Sequence, residues 1–376
     1  MPAADGSVGG GDFKDRISTE AVTGLAADLA AVHPGFDRGA FVRKATAGLD
    51  ELELKARVVQ VADALAANLP PEFGEAAAVI DRAIARPTFK GWIVFPVDDW
   101  VARYGIDHPD TALPLLGRLT SRWTAEYAIR PFIETHRSRT FKEFDRWIES
   151  EDEHLRRLVS EGSRPRLPWA TQLRCFIEDP APTIRLLGRL VDDPSVYVRK
   201  SVANHLGDIA KDHPDLAVDT ATRWVEANPD SACRRWIASH GLRSLVKAGD
   251  PEALRLLGYD PDAPVGISAF DVGPARIRIG EAVKIEFVLT AGPGAGAEPV
   301  PVMVDYLIHH AGARGSRGPK AFKLKRTELK PGVETAFRKE HQIRQVTVRR
   351  IHLGPHRIEV QVNGNILAAA TIQVNS

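Results

Sequence analysis

The chain has 376 residues, 44% hydrophobic and 26% charged, enough to bury one or two cores and too balanced for a disordered or fibrous protein. The formal net charge of +1 is unevenly spread: residues 265–376 hold 16 Lys and Arg against 9 Asp and Glu, a net of +7, and the rest holds 34 against 40, a net of −6. Two cysteines make no disulfide framework or zinc site, the start lacks the apolar stretch of a signal peptide, and no segment is long and apolar enough to span a bilayer, so the chain reads as cytoplasmic with no membrane partner.

Residues 1–12 read as a flexible tail. From 13 to 258 the pattern is helical, with polar residues placed just before Pro109, Pro180, Pro194, Pro214, Pro229 and Pro251. An Asp, Asn or His followed by proline suits a helix start, because proline fixes φ and lacks an N–H that would be orphaned there anyway. Pro180 to Pro214 is 34 residues, Pro194 to Pro229 is 35 and Pro214 to Pro251 is 37. Two interleaved series with one period make each unit a helix pair. "LLGRL" occurs at 115–119 and 186–190, while "AIRPFI", "HLRRLV", "YVRKSV" and "ACRRWI" place Arg130, Arg156, Arg199 and Arg234 after an apolar residue. These repeats predict an α-solenoid whose second helices carry a basic row along one concave face.

After a short linker at 259–266, residues 267–376 alternate apolar and polar residues, with Gly, Pro and Asn-Gly turns between. About seven short strands predict a β-sandwich of immunoglobulin type. Asn363-Gly364 is a two-residue hairpin signal. The basic sandwich suggests an anionic partner, with a merely solvated surface as the alternative. Arg314, Arg317 and Lys320, in or beside a glycine-rich loop, are its candidate contacts.

Within the solenoid, "HLRRLVSEGSRPRLPWA" at 154–170 breaks a local rule. Glu161 falls in a last helical turn, against the helix dipole, at a cost of about 0.3–1 kcal/mol, and Gly162 reads as a left-handed stop. Such a position marks a candidate functional site. An ion pair of Glu161 with Arg157 or Arg164 is the alternative. Glu126 is spaced for a helix-surface pair with Arg130, and Asp208 for one with Lys211 or a bond to Asn204. Trp169, after Pro168, suits a loop cap on the core. His205 and His240 fall at equivalent repeat positions, with no third ligand at metal spacing, so phosphate or packing contacts are the expectation rather than a metal or cofactor. Arg130, Arg157, Arg199, Lys200 and Arg235 would meet phosphates through counterion release and charge-assisted hydrogen bonds. Arg164, Arg166, Asn204, His205 and His240 complete this candidate phosphate-facing set.

In that order, "AEYAIRPF" (125–132), "HLRRLVSEGSRPRLPWA" (154–170) and "YVRKSVANHLGDIAKDHP" (197–214), with "HPGFDRGAFV" (33–42) near the start, resemble the HEAT-like repeat alkylbase DNA glycosylases of the AlkC type. Some members carry a C-terminal immunoglobulin-like domain. The resemblance covers nearly the whole chain, the β-domain in type and position only. It implies cleavage of the N-glycosidic bond of cationic alkylated bases, 3-methyladenine and 3-methylcytosine, in double-stranded DNA without full base flipping. It places Glu126, Glu161, Trp169 and Asp208 at active-site positions. The expected protein is therefore a monomeric, cofactor-free glycosylase that leaves an abasic site. A non-catalytic DNA-binding repeat protein and a protein-interaction scaffold are the rivals; the first would not need all three carboxylates, and the second would not need the regular arginines.

Overall fold

The computed structural model describes residues 12–292, 294, 296–312, 315, 316, 318–345 and 351–375. Arg314 and Arg317 lie outside them. The order is helical throughout the first two thirds and β thereafter: an α-helical repeat region followed by an immunoglobulin-like β-sandwich. Helices begin at Pro109, Ala181, Val196, Pro214, Ala232 and Pro251, within three residues of the prolines that marked them. Side-chain caps reinforce several starts: Ser18, Asp37, Asp152, Ser195 and Asp250 each accept a bond from a backbone N–H of the first turn. Among the described residues no helix is long and apolar enough to cross a membrane.

Two compact units emerge. The first comprises Met1–Asp212 with Ala227–Ile237, and the second His213–Glu226 with Ala238–Ser376. In the first, helix Glu153–Gly162 packs on Ala181–Leu190 and on Val196–Ile209, and Pro109–Leu119 packs on Arg137–Trp147. Apolar side chains such as Leu116, Phe132, Phe144, Leu158, Val202 and Leu206 are fully buried between these layers.

The repeated arginines have a structural use that their spacing did not reveal. Arg156 donates to the carbonyls of Ser150 and Glu151, Arg199 to those of Asp193 and Pro194, and Arg235 to those of Pro229 and Asp230. Each reaches back five and six residues, clipping the turn that precedes its own helix. In the fourth repeat the clip is thus Arg235, one position beyond the Arg234 that the sequence alignment chose; Arg234 pairs with Asp192.

The second unit contains strands β1 (Val265–Gly273), β2 (Arg276–Arg278), β3 (Ala282–Ala291), β4 (Val300–His309), β5 (Ala311–Gly312), β6 (Gly315–Ser316), β7 (Lys320–Leu329), β8 (Thr335–Gln342), β9 (Gly354–Val362) and β10 (Asn365–Asn375). They form sheets β1-β3-β8 and β2-β10-β9-β4-β7, with β5-β6 as a short separate pair. Ile285 and Phe287 of one sheet and Val304, Tyr306, Ile358 and Val360 of the other share one core. Asn363 (φ 46°) and Gly364 (φ 87°) make the β9–β10 hairpin turn. Strand β1 was not anticipated, because a register shift between Ser268 and Asp271 and a positive φ at Ala269 break its alternation. Asn363 Nδ2 donates to Asp260 O at 2.9 Å and Asn365 Nδ2 to Pro261 O at 2.6 Å, tying the preceding segment to this hairpin.

Candidate active site

Helix Glu153–Gly162 delivers Glu161, and its last residue sets where Glu161 can sit. Gly162 is still helical rather than left-handed, which corrects the reading of it as a stop. A Cβ there would lie 2.5 Å from Ile129 Cγ2, so glycine is needed for the close approach of helix Ile129–Thr135. Arg130, on that second helix, then staples the chain beyond Gly162. Its Nη1 donates to Gly162 O at 3.0 Å and Arg164 O at 2.8 Å, and its Nε and Nη2 donate to Thr171 O. Burial lowers the guanidinium to a pKa of about 10, still charged at neutrality.

From Glu126 to Lys211 runs an alternating chain of charges. Arg157 Nη1 lies 2.5 Å from Glu126 Oε2, and Arg157 Nη2 lies 3.5 Å from Glu161 Oε1. Arg164 spans the next pair, with Nη1 2.7 Å from Glu161 Oε1 and Nε 2.8 Å from Asp208 Oδ2. Lys211 Nζ closes the series 2.9 Å from Asp208 Oδ1. The hydroxyl of Ser201 donates to Glu161 Oε2 at 2.6 Å and that of Thr124 to Glu126 Oε2 at 2.8 Å. All three carboxylates are buried. Burial pushes the Glu161 carboxyl up, but Arg157, Arg164 and Ser201 together outweigh it and hold it at a pKa of about 2. The Arg157 guanidinium also packs over the Tyr197 ring, 5.0 Å from its centroid.

Aromatic residues collect at the Glu126 end. Trp92, Phe95, Trp123, Tyr127 and Trp169 surround a pocket of about 20 Å³ that Glu126 and Thr124 also line. Trp92 and Trp123 pack with centroids 4.6 Å apart, Phe95 stacks on Tyr127 at 5.3 Å, and Phe13 bridges Trp92 and Trp169 at 5.5 and 5.8 Å. Trp169 is 54% exposed and holds φ +67°, a left-handed conformation unfavourable for tryptophan. Its carbonyl accepts from Lys55 Nζ at 3.0 Å. It is thus a projecting ring rather than a cap on the core. A wider cleft of about 370 Å³, with Val58, Tyr127, Pro131, Trp169 and Leu173 in its walls, adjoins the same ring.

The four residues expected at the active site therefore gather, three in the charge chain and Trp169 over its aromatic end. The expected DNA-facing set divides. Arg130, Arg157 and Arg164 are buried and bond carbonyls, carboxylates and the Thr124 hydroxyl, so they hold the site together instead of meeting phosphates. His205 is fully buried, bonds Ser160 O through Nδ1 at 2.9 Å and is lowered by burial to a pKa of about 4; a neutral core imidazole corrects the phosphate reading. The surface pair Glu126–Arg130 gives way to Glu126–Arg157. Arg166, half-buried, is bidentate to Asp212 at 2.7 and 2.6 Å. Lys200 and Arg235 are exposed, and Arg199 and Asn204 are half-buried. His240 and Lys320 belong to the second unit.

Sequence reasoning missed Phe13, Trp92, Phe95 and Trp123, which no common spacing connects. It also missed Asp98, one helical turn from Phe95, 1% exposed with neither carboxyl oxygen hydrogen-bonded. Burial, reinforced by Asp99 and Glu126, pushes that carboxyl well above its ordinary range.

The family described as "DNA alkylation repair enzyme" matches residues 120–245, and that described as "Uncharacterised protein YhaZ, C-terminal Ig-like domain" matches 266–376. The protein YhaZ of Bacillus subtilis (strain 168) is 34% identical over 369 residues, spanning 96% of this chain and 99% of its own length. The solved Pseudomonas fluorescens alkylpurine DNA glycosylase AlkC, bound to DNA containing an abasic site analog, is 36% identical with a TM-score of 0.88, over 97% of this chain and 100% of that one.

Proposed function

Because the chain belongs to the AlkC-like alkylpurine DNA glycosylases, we propose that it hydrolyses the N-glycosidic bond of cationic alkylated bases, 3-methyladenine and 3-methylcytosine, in duplex DNA and leaves an abasic site. The observation that carries this reading is the row Glu126, Glu161 and Asp208, braced by Arg157 and Arg164 and ending at an aromatic-walled pocket. An N3-alkylated base is a cation and leaves as a neutral molecule, so little acid catalysis is needed. What rises in the transition state is positive charge on the deoxyribose. A carboxylate fixed in its ionised form, as Glu161 is, stabilises that charge without reorganising when it forms. Water supplies hydroxide to C1′ and its second proton passes to a carboxylate or to solvent.

Aromatic faces at Trp169, Trp92 and Trp123 complement the cationic base by about 0.5–2 kcal/mol each where a ring is well placed. The pocket beside Glu126 is too small for a base. The lesion would then be engaged at the mouth of this pocket, against the Trp169 ring, rather than inside it. Lys200 and Lys320, whose amines are not spent on turn carbonyls, are the residues proposed to approach phosphates, the protein acting with no cofactor and as a monomer. The direct test is to incubate the protein with duplexes carrying 3-methyladenine, 3-methylcytosine or 7-methylguanine and to chromatograph free base. Release of either N3-methylated base at an abasic site is expected; tight binding of all three duplexes with no release would leave a non-catalytic binding protein instead.

A further inference from the structure

The β-sandwich has a concave site of its own. His310 just after β4, Lys320 and Phe322 of β7, His341 and Gln342 of β8, and Arg344 line a pocket of about 200 Å³. Lys320 Nζ sits 4.9 Å from the centroid of the Phe322 ring, and that ring stacks on Tyr306 at 5.1 Å and meets His341 edge-on at 4.7 Å. The floor is therefore rigid and aromatic, while the rim is cationic. Among the described residues no carboxylate lines the pocket, and neither Lys320, Arg344 nor nearby Lys339 takes part in an ion pair. Elsewhere in the same domain Arg338 pairs with Glu286, and Arg357 and His309 pair with Glu359.

We propose that this pocket is a phosphate-binding site. A lysine, an arginine and an imidazole converging on a half-enclosed cavity offer charge-assisted donors to one anionic group with three or four oxygens. His341 adds a neutral donor. Its Nδ1 lies 2.9 Å from the Tyr306 hydroxyl, and when Tyr306 donates there, the imidazole proton resides on Nε2. Burial first, then the charges of Lys339 and Lys320, lower this imidazole to a pKa of about 4, so it reports on any anion that neutralises those lysines. The phosphate can be a backbone diester of nucleic acid or belong to a free small molecule; the donor set suits either source.

The test uses the full chain labelled with ¹⁵N-histidine. Inorganic phosphate is titrated against chloride at constant ionic strength, and undamaged duplex is titrated separately. A saturable shift of the His341 ring resonances with phosphate is expected, together with a rise of its pKa toward the ordinary value. Lys320→Ala combined with Arg344→Ala should weaken the phosphate response at least fivefold. The control pair Arg276→Ala with Arg278→Ala, on the exposed ends of β2, should not. Equal competence of duplex identifies the source as backbone phosphate, and response to phosphate alone identifies a free ligand. No His341 response to either, or an unchanged response in the Lys320–Arg344 variant with its melting temperature intact, overturns the proposal. None of these readings depends on base release, so they stand apart from the glycosylase assignment.

Discussion

Replacing Glu161 with glutamine removes one negative charge and almost no volume. The amide oxygen can still face Arg164, and the amide nitrogen can donate to the Ser201 oxygen, so the two short contacts at 2.7 and 2.6 Å survive in kind. What disappears is the charge that lies between Arg157 and Arg164. The carboxyl titrates at about 2 against a reference of 4.5, which corresponds to about 3 kcal/mol of stabilisation of its charged form. Because the folded pKa is depressed, that contribution is complete above 4.5 and fades as pH falls through about 2. The variant should therefore be less stable by about 3 kcal/mol at pH 7, and the gap should narrow steadily toward pH 2. The catalytic loss is a separate quantity. A unit charge about 5 Å from a developing cation, at an effective dielectric near 20, contributes about 3 kcal/mol, or roughly two powers of ten in rate. Single-turnover release of 3-methyladenine should fall 100- to 1000-fold, with affinity for abasic-site duplex changed less than threefold. A variant that loses the expected stability but still releases base within threefold of the parent would make Glu161 a structural ion and refute its catalytic role.

Three further substitutions separate structure from chemistry. Trp169→Gly relieves a left-handed φ on an exposed residue, so stability should hold or rise by up to about 1 kcal/mol while base release drops at least tenfold, read by melting and by chromatography. Arg130→Ala strips four donations to three carbonyls and should destabilise the protein by about 3 kcal/mol or more, yet the salt slope of DNA binding, measured on the folded fraction, should be unchanged; Lys200→Ala should do the reverse, lowering the slope by about 1 with no change in melting. Gly162→Ala should cost about 1–3 kcal/mol by overpacking against Ile129, with a parallel loss of base release as the Glu161 turn shifts.

The helix starts and the β9–β10 turn were legible because each rests on one residue's backbone preference: proline at a first turn, Asn-Gly where two consecutive positive φ values are required. The charge chain was legible only in part. Spacing offers Glu126 to Arg130, Glu161 to Arg157 or Arg164, and Asp208 to Lys211, and all of these but the first form. The partner that Glu126 takes, Arg157, is 31 positions on, a distance set by the repeat rather than by any helical period. Arginine spacing misled for the same reason. It marks the turns that the repeats clip, while the sign of a charge says nothing about whether its side chain faces a phosphate or a carbonyl. The aromatic wall drew on residues 13, 92, 123 and 169, which only the folded solenoid brings together.

Why the arginines should stand inside the site at all follows from the carboxylates. Three carboxylates in one buried row would repel one another, and protonation would be the easiest relief. Inserting Arg157 between Glu126 and Glu161, and Arg164 between Glu161 and Asp208, removes that pressure, as the low pKa of Glu161 attests. The same insertion reduces the field that reaches a substrate, since the chain from Glu126 to Lys211 alternates in sign and balances. Net negative field at a distance must then come from its termini, while Glu161 acts only on a charge that forms close beside it. At the Asp208 end Lys211 supplies a cation, whereas at the Glu126 end the next groups are aromatic rings and the Thr124 hydroxyl. The uncompensated end of the chain is therefore the one beneath Trp169, where a cationic base would meet a carboxylate and ring faces at once.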